Sequence, residues 1–411
     1  MSAHASAHRG LIRRVTAVGV CLIFACAGLI FSCARLIFTS ALPIFTSTSL
    51  AASQEYFVYI GTYTQSRGKG IYAFRFEPAT GKLTQPVLAA PASSPSFLAV
   101  HPNGRFLYAA NEHEEKDIPG QNNTVSAYAI DSKTGSLKFL NKVSSQGEGP
   151  AHIVIDHQGK ALLVLNYRSG SLGLLPILRD GRLGEATAVD QHHGSGVDPK
   201  RQAGPHAHGG VFSPDNRFAL VAEHGIDEVM VYRFDANKGS LTPNDPPFLK
   251  ATPGAAPRHL TFHPNGKIVY ALNEIGSTVT VLAYGADKGT IRRIQEISTL
   301  PAGFSGSNST AQLQVDQAGK FLYASNRGDD SIAVFAIDLA SGMLTLMEHV
   351  STRGKTPRDF SLDPTGAFLF AANQSSDNIV LFRVGPAGRL TPSGEVVEVP
   401  EPVCVVFVPV R

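Results

Sequence analysis

Five side chains with chemical potential sit at matched places in a repeated pattern. Glu274, Arg327 and Asn373 each end an apolar stretch, after ALN, ASN and FLFAA. His208 and Arg258 each begin one, in HGGVF and RHLTF. A carboxylate or a neutral imidazole can take a proton from water, and a guanidinium can stabilise charge growing on a carbonyl oxygen. Arginine also suits a phosphate or carboxylate, through paired hydrogen bonds. The bland alternative is that Arg258 and Arg327 form structural ion pairs with acids such as Glu274. His192, His193, His206 and His208 lie close in sequence, but their spacing is no known metal-ligand pattern. His101 and His263 fall in HPNG turns, where a histidine commonly ties the turn together. Cys404 lies in the apolar run VCVVFV and reads as a small core residue.

These residues are positioned by an internal repeat. PSFLAVHPNGRFLYAANE (95–112), RHLTFHPNGKIVYALNE (258–274), AQLQVDQAGKFLYASNR (311–327) and RDFSLDPTGAFLFAANQ (358–374) share one pattern. Residues 151–167 and 208–224 are weaker copies. Each reads as a strand, a tight turn and a strand, because apolar residues alternate around turn residues that accept positive φ. A second strand–turn–strand half follows each copy, as in 123–140, 227–243 and 330–346. Gly104, Gly159, Gly266, Gly319 and Gly366, with Asn216, mark a period near 50 residues, which is that of a four-stranded propeller blade. Six full units span about 95–398. Residues 56–88 supply three strands, and 403–408 supply one. Joined, the two fragments make a further blade and close the ring. The expected fold is an all-β, seven-bladed β-propeller over 53–411. On this register Glu274, Arg327 and Asn373 face one mouth of the channel.

The 411 residues include 39 glycines and 26 prolines, a balance that favours short strands and turns over long helices. The net charge of +3 offers no concentrated basic face, so nucleic acid is not an expected partner. Cys21, Cys26 and Cys33 precede the repeats, leaving Cys404 alone among them, so no disulfide can form within the propeller. Arg9, Arg13 and Arg14 precede an uncharged apolar run from Val15 to Cys33. Residues 1–52 therefore read as a cleaved export signal or a retained membrane anchor, with the rest of the chain outside the cytoplasm. Contact with a membrane is expected only through this segment.

The stretches IGTYT (60–64), GPAHIVID (149–156), RQAGPHAH (201–208), PRHLTFHPNGKIVYALNE (257–274), YASNRGDDSIAVF (323–335) and PRDFSLDPTG (357–366) resemble the bacterial propeller lactonases. That family includes 6-phosphogluconolactonases and is related to fungal carboxymuconate cycloisomerases. The resemblance covers about 56–411. It implies hydrolysis of 6-phosphogluconolactone or a related aldonolactone, with a small sugar lactone as partner, no cofactor or metal, and a monomer or weak dimer. It implies His208, Glu274 and Arg258 as catalytic groups, with His206 or His208 matching the family's histidine loop. His206, Arg327, Asn373 and Gln312 are implied as substrate contacts. Two departures stand out: relatives commonly carry Glu where Gln312 stands, and often His in place of Asp329. Export also turns the expectation toward a lactone other than the phosphorylated one. A cycloisomerase and a non-catalytic surface-binding propeller are the competing readings. Convergence of His208, Arg258, Glu274 and Arg327 on one channel mouth would favour catalysis.

Overall fold

The computed structural model describes residues 54–112 and 123–411. The 1–52 segment, with its expected signal or anchor, lies outside the described residues. Among the described residues no helix is long and apolar enough to cross a membrane.

The alternating stretches form seven antiparallel sheets. One regular blade consists of Pro95–Val100, Phe106–Asn111, Thr124–Ile130 and Leu137–Ser144. The closing blade joins the two ends of the propeller. Pro402–Pro409 lies antiparallel to Tyr56–Thr62, with Ile60 opposite Val405, and Gly70–Glu77 follows. Its outer strand is broken into Lys82–Leu83 and Val87–Pro91. The seven first strands, from Pro95–Val100 to Pro402–Pro409, touch their neighbours in a closed cycle and surround the axis. The tight turns need the left-handed backbone that glycine or asparagine supplies: φ is +67° at Gly266 and +61° at Asn216.

A twisted four-stranded sheet is apolar on both faces here, so the core lies between blades. Seven apolar clusters occupy the seven blade–blade contacts. At the closing contact Phe74 and Phe76 pack on Phe368 and Phe370, with Phe76 edge-on to Phe370 at 5.0 Å. Each such buried ring contributes about 2 kcal/mol. Buried tyrosines stitch the same contacts: the hydroxyls of Tyr59, Tyr108, Tyr270 and Tyr323 donate to the carbonyls of Gly135, Gly181, Gly342 and Gly388 in the next blade, at 2.7–3.0 Å. His101 and His263 bridge to the turn carbonyls of Gly159 and Gly319, so both are structural. Cys404 is buried with a free thiol. Phe97, His152 and His259, from three inner strands, meet with tilted or edge-on rings, with centroids 4.0 Å apart for Phe97–His152 and 5.0 Å for His152–His259.

Candidate active site

Two backbone features aim side chains at one mouth of the channel. First, the inner strands bulge just after their first residue: pairing slips between Ala207 and Gly209, Pro257 and His259, and Pro357 and Asp359. A bulged residue has no partner opposite it and is re-aimed. These residues are His208, Arg258 and Arg358. Second, the residue that follows each second strand donates its N–H to a carbonyl just ahead of the inner strand. This applies to Tyr63, Glu112, Tyr167, His224, Glu274, Arg327 and Gln374. The two rings lie side by side, and most of the polar chemistry of the channel mouth belongs to them.

Asn373 does not belong to this set. It pairs opposite Pro357, as Asn273 pairs opposite Pro257, so the equivalent of Glu274 is Gln374. The expected register was one residue short. The Asn373 side chain is fully buried and donates to the Thr352 carbonyl at 3.2 Å and to Asn378 Oδ1 at 2.9 Å. It holds a loop. Gln312 also stands apart from the mouth, lower in the channel, between His259 and Asp359.

Glu274 is the centre of the cluster. Its Oε2 accepts from Arg258 Nε at 2.9 Å, and its Oε1 is 2.9 Å from Arg327 Nη2. Arg201 Nη2 makes a further short contact to Oε1. His224 Nε2 and His208 Nε2 stand 3.9 and 4.0 Å away. Burial alone would raise the carboxyl's pKa, but the guanidiniums of Arg327 and Arg258 hold it well below the usual carboxylate range. A carboxylate so engaged is a poor proton acceptor. It lies in contact with three guanidiniums, those of Arg258, Arg327 and Arg201.

Positive charge is nevertheless in excess. Among the described residues four guanidiniums (Arg201, Arg258, Arg327, Arg358) face two carboxylates, Glu274 and Glu112, leaving two uncompensated charges. Burial, with Arg327 and Arg358 nearby, brings the Arg258 pKa down to about 9. Arg358 Nη2 is 3.7 Å from Glu112 Oε2, and its guanidinium lies over the Tyr63 ring at 5.2 Å. Tyr63 itself donates to Glu112 Oε2 at 3.0 Å. No hydrogen-bond acceptor among the described residues engages the Arg358 guanidinium. A partly buried guanidinium with unused donors beside two others is a ready anion site.

The histidines divide by access. His208 is 4% exposed and packs against Tyr167 and His259. Burial, then Arg258 and His259, hold its imidazole well below its ordinary pKa, so it is neutral. His224 is likewise brought down to about 4, mainly by burial. His206 is only half-buried and stacks on Tyr167 at 4.6 Å. Its Nδ1 is 2.7 Å from the Tyr167 carbonyl, which can only accept. Nδ1 therefore donates to that carbonyl, which leaves Nε2 as the ring nitrogen not tied to Tyr167. His192 turns away instead, bonding to Tyr232 and facing Glu223. Among the described residues no group of three or more His, Cys, Asp or Glu could hold a metal.

Residues 57–407 match the family model described as a lactonase, 7-bladed beta-propeller. The chain belongs to this propeller lactonase family. A 6-phosphogluconolactonase of Bacillus subtilis is 38% identical over 354 residues, covering 86% of this chain and 98% of that one. One of Formosa agariphila is 34% identical over 311 residues, covering 74% and 86%. The periplasmic gluconolactonase of Pseudomonas aeruginosa superposes with a TM-score of 0.82 at 34% identity, covering 87% of this chain and all of that one. In this propeller lactonase the expected quartet His208, Arg258, Glu274 and Arg327 does converge. Arg201, Arg358, Tyr63, Glu112, Tyr167 and His224 complete the cluster, and the sequence reading missed them. Arg358 was within its reach: it follows Pro357 as Arg258 follows Pro257. Arg201 was not, because it comes from the excursion between Ala188–Gln191 and Ala207–Phe212, which has no counterpart in the other units.

Proposed function

We propose that this chain hydrolyses a sugar lactone outside the cytoplasm, either an unphosphorylated aldonolactone or 6-phosphogluconolactone. The observation that carries the reading is the excess positive charge of the buried Arg258 with the partly buried Arg327 and Arg358, in the same channel mouth as His206, whose Nε2 is not tied to Tyr167. Ring opening turns a neutral ester into a carboxylate, and negative charge builds on the carbonyl oxygen at the transition state. Preorganised guanidiniums stabilise that charge more than the neutral ground state, which is what catalysis requires.

In the proposed reaction His206 Nε2 accepts a proton from water as the water oxygen bonds to the carbonyl carbon. The oxyanion forms against Arg258 and Arg358. Collapse breaks the bond from the carbonyl carbon to the ring oxygen, and the protonated His206 returns its proton to that oxygen. The product is the open-chain aldonic acid, which releases its carboxyl proton to solvent and leaves as the aldonate. Glu274 keeps the arginines in place. His208, neutral and enclosed, forms part of the floor, and Arg327 holds Glu274 while adding to the field. The uncharged apolar run after Arg9, Arg13 and Arg14 supports export. So does the structural likeness to a periplasmic gluconolactonase. Export favours the unphosphorylated substrate.

The test is a lactone panel at neutral pH with spontaneous hydrolysis subtracted, containing gluconolactone, 6-phosphogluconolactone and a muconolactone. Turnover of an aldonolactone, lost in Arg258→Gln, is expected. Turnover of the muconolactone alone would favour a cycloisomerase, and no turnover of any would leave a binding propeller.

A further inference from the structure

Beneath the arginine cluster a line of contacts links four inner strands. Arg258 Nη1 rests against the His259 ring, 3.1 Å from Nε2 and 3.5 Å from Nδ1. His259 Nδ1 is 2.9 Å from Gln312 Oε1. Gln312 Nε2 donates to Asp359 Oδ1 at 2.7 Å. Asp359 Oδ2 accepts from the Val405 N–H at 2.7 Å, in the strand that closes the ring. The proton positions follow from the carboxylate end. A carboxylate only accepts, so Gln312 Nε2 donates to Asp359, and Gln312 Oε1, which also accepts from the Leu313 N–H at 2.9 Å, faces His259. His259 Nδ1 therefore carries the hydrogen. These donors point one way, from His259 toward the Asp359 carboxylate. His259 and Asp359 are buried, and neither touches the open mouth.

We infer that Asp359 and Gln312 are positioning residues, fixing the tautomer and orientation of the His259 ring on which the Arg258 guanidinium rests. Gln312 is thus read as a spacer between an imidazole and a carboxylate, rather than as a substrate contact. The line matters because Arg258 is the most enclosed of the arginines. Its Nη1 also meets the Ala311 carbonyl, so a shift of the His259 ring would displace the guanidinium that rests on it. A misplacement of about 1 Å in such a group costs on the order of 100-fold in rate. The significance of Arg258 for turnover rests on the lactonase reading, whereas the tautomer assignment does not.

The decisive variants are Asp359→Asn and the double exchange Gln312→Glu with Asp359→Asn. Alone, Asp359→Asn cannot satisfy both the Val405 N–H and the Gln312 N–H with carboxylate oxygens, so the line loses an acceptor. In the double variant the introduced amide accepts from the Val405 N–H and donates to the introduced carboxylate, which in turn accepts from His259 and from the Leu313 N–H. Every bond is restored, with the charge moved one residue closer to the imidazole. Two readouts are taken on the full-length protein: kcat and KM with gluconolactone, and ring-nitrogen NMR of His259. For Asp359→Asn we expect kcat lower by about 10- to 100-fold with KM within about twofold, and a scrambled His259 tautomer. The double variant should recover kcat and a single Nδ1–H tautomer. A wild-type tautomer in Asp359→Asn, or a double variant no better than the single one, overturns the inference. Should the wild type open no lactone, the functional reading falls by itself, and the imidazole signal still decides this one.

Discussion

Replacing Glu274 with glutamine tests whether its carboxylate acts as a counter-charge or as a base. The wild-type side chain meets Arg258 Nε and Arg327 Nη2 at 2.9 Å each, with Arg201 also in contact, and is 6% exposed. Glutamine keeps the shape, but it removes the charge and places an N–H against arginine donors. Three guanidiniums would then face one another in a buried site. Removing one partner of a buried charge pair costs about 3–5 kcal/mol, because the other charge is left uncompensated. We expect Glu274→Gln to lose stability of that size in urea unfolding at pH 7, along with most of its turnover. Raising salt should recover little, since the charges are enclosed. A variant as stable as the wild type yet inactive would return Glu274 to the role of base and refute the counter-charge argument.

Other consequences can be measured directly. His206→Gln should lower kcat by about 100-fold or more while leaving stability unchanged, if its Nε2 is the proton acceptor; retained turnover would move that role to another group. Arg358→Gln should cost about 3 kcal/mol in the barrier, roughly 100-fold in kcat, because its free donors face the growing charge. Unlike Glu274→Gln it should not destabilise the fold, as it removes a cation from a site with too many. Acid should unfold the protein early. His152 and His224 are brought down to about 3 and about 4 in the folded state, chiefly by burial, and His208 and His259 fall in the same direction. Unfolded histidines bind protons near pH 6.5, so the stability these rings hold is complete above that pH and is lost as pH falls. Each histidine should forfeit about 2 kcal/mol by pH 5. A urea midpoint unchanged between pH 7 and pH 5 would contradict the buried neutral assignment.

How far the site was legible depends on the kind of signal. The blade count was readable because side-chain alternation in a strand is local: each residue's face follows from its neighbours, and a repeat shows the pattern several times over. The closing of 403–408 onto the first blade was readable from a count of missing strands. The matched places of His208 with Arg258, and of Glu274 with Arg327, followed from the same register. Asn373 shows its limit, since a slip of one residue at a strand end exchanges a buried loop-holder for a channel-mouth position.

What the sequence determined is therefore a one-dimensional matter: strand period, turn chemistry, and the order of blades around a ring. The charge state and task of each polar group were decided only when the ring closed. Residues from blades far apart in the chain then came within 3–4 Å, and burial removed the water that would have screened them. That is why Glu274, readable as a base in isolation, sits against three guanidiniums. It is also why His206 and His208, two residues apart in sequence, end as one open imidazole and one enclosed one.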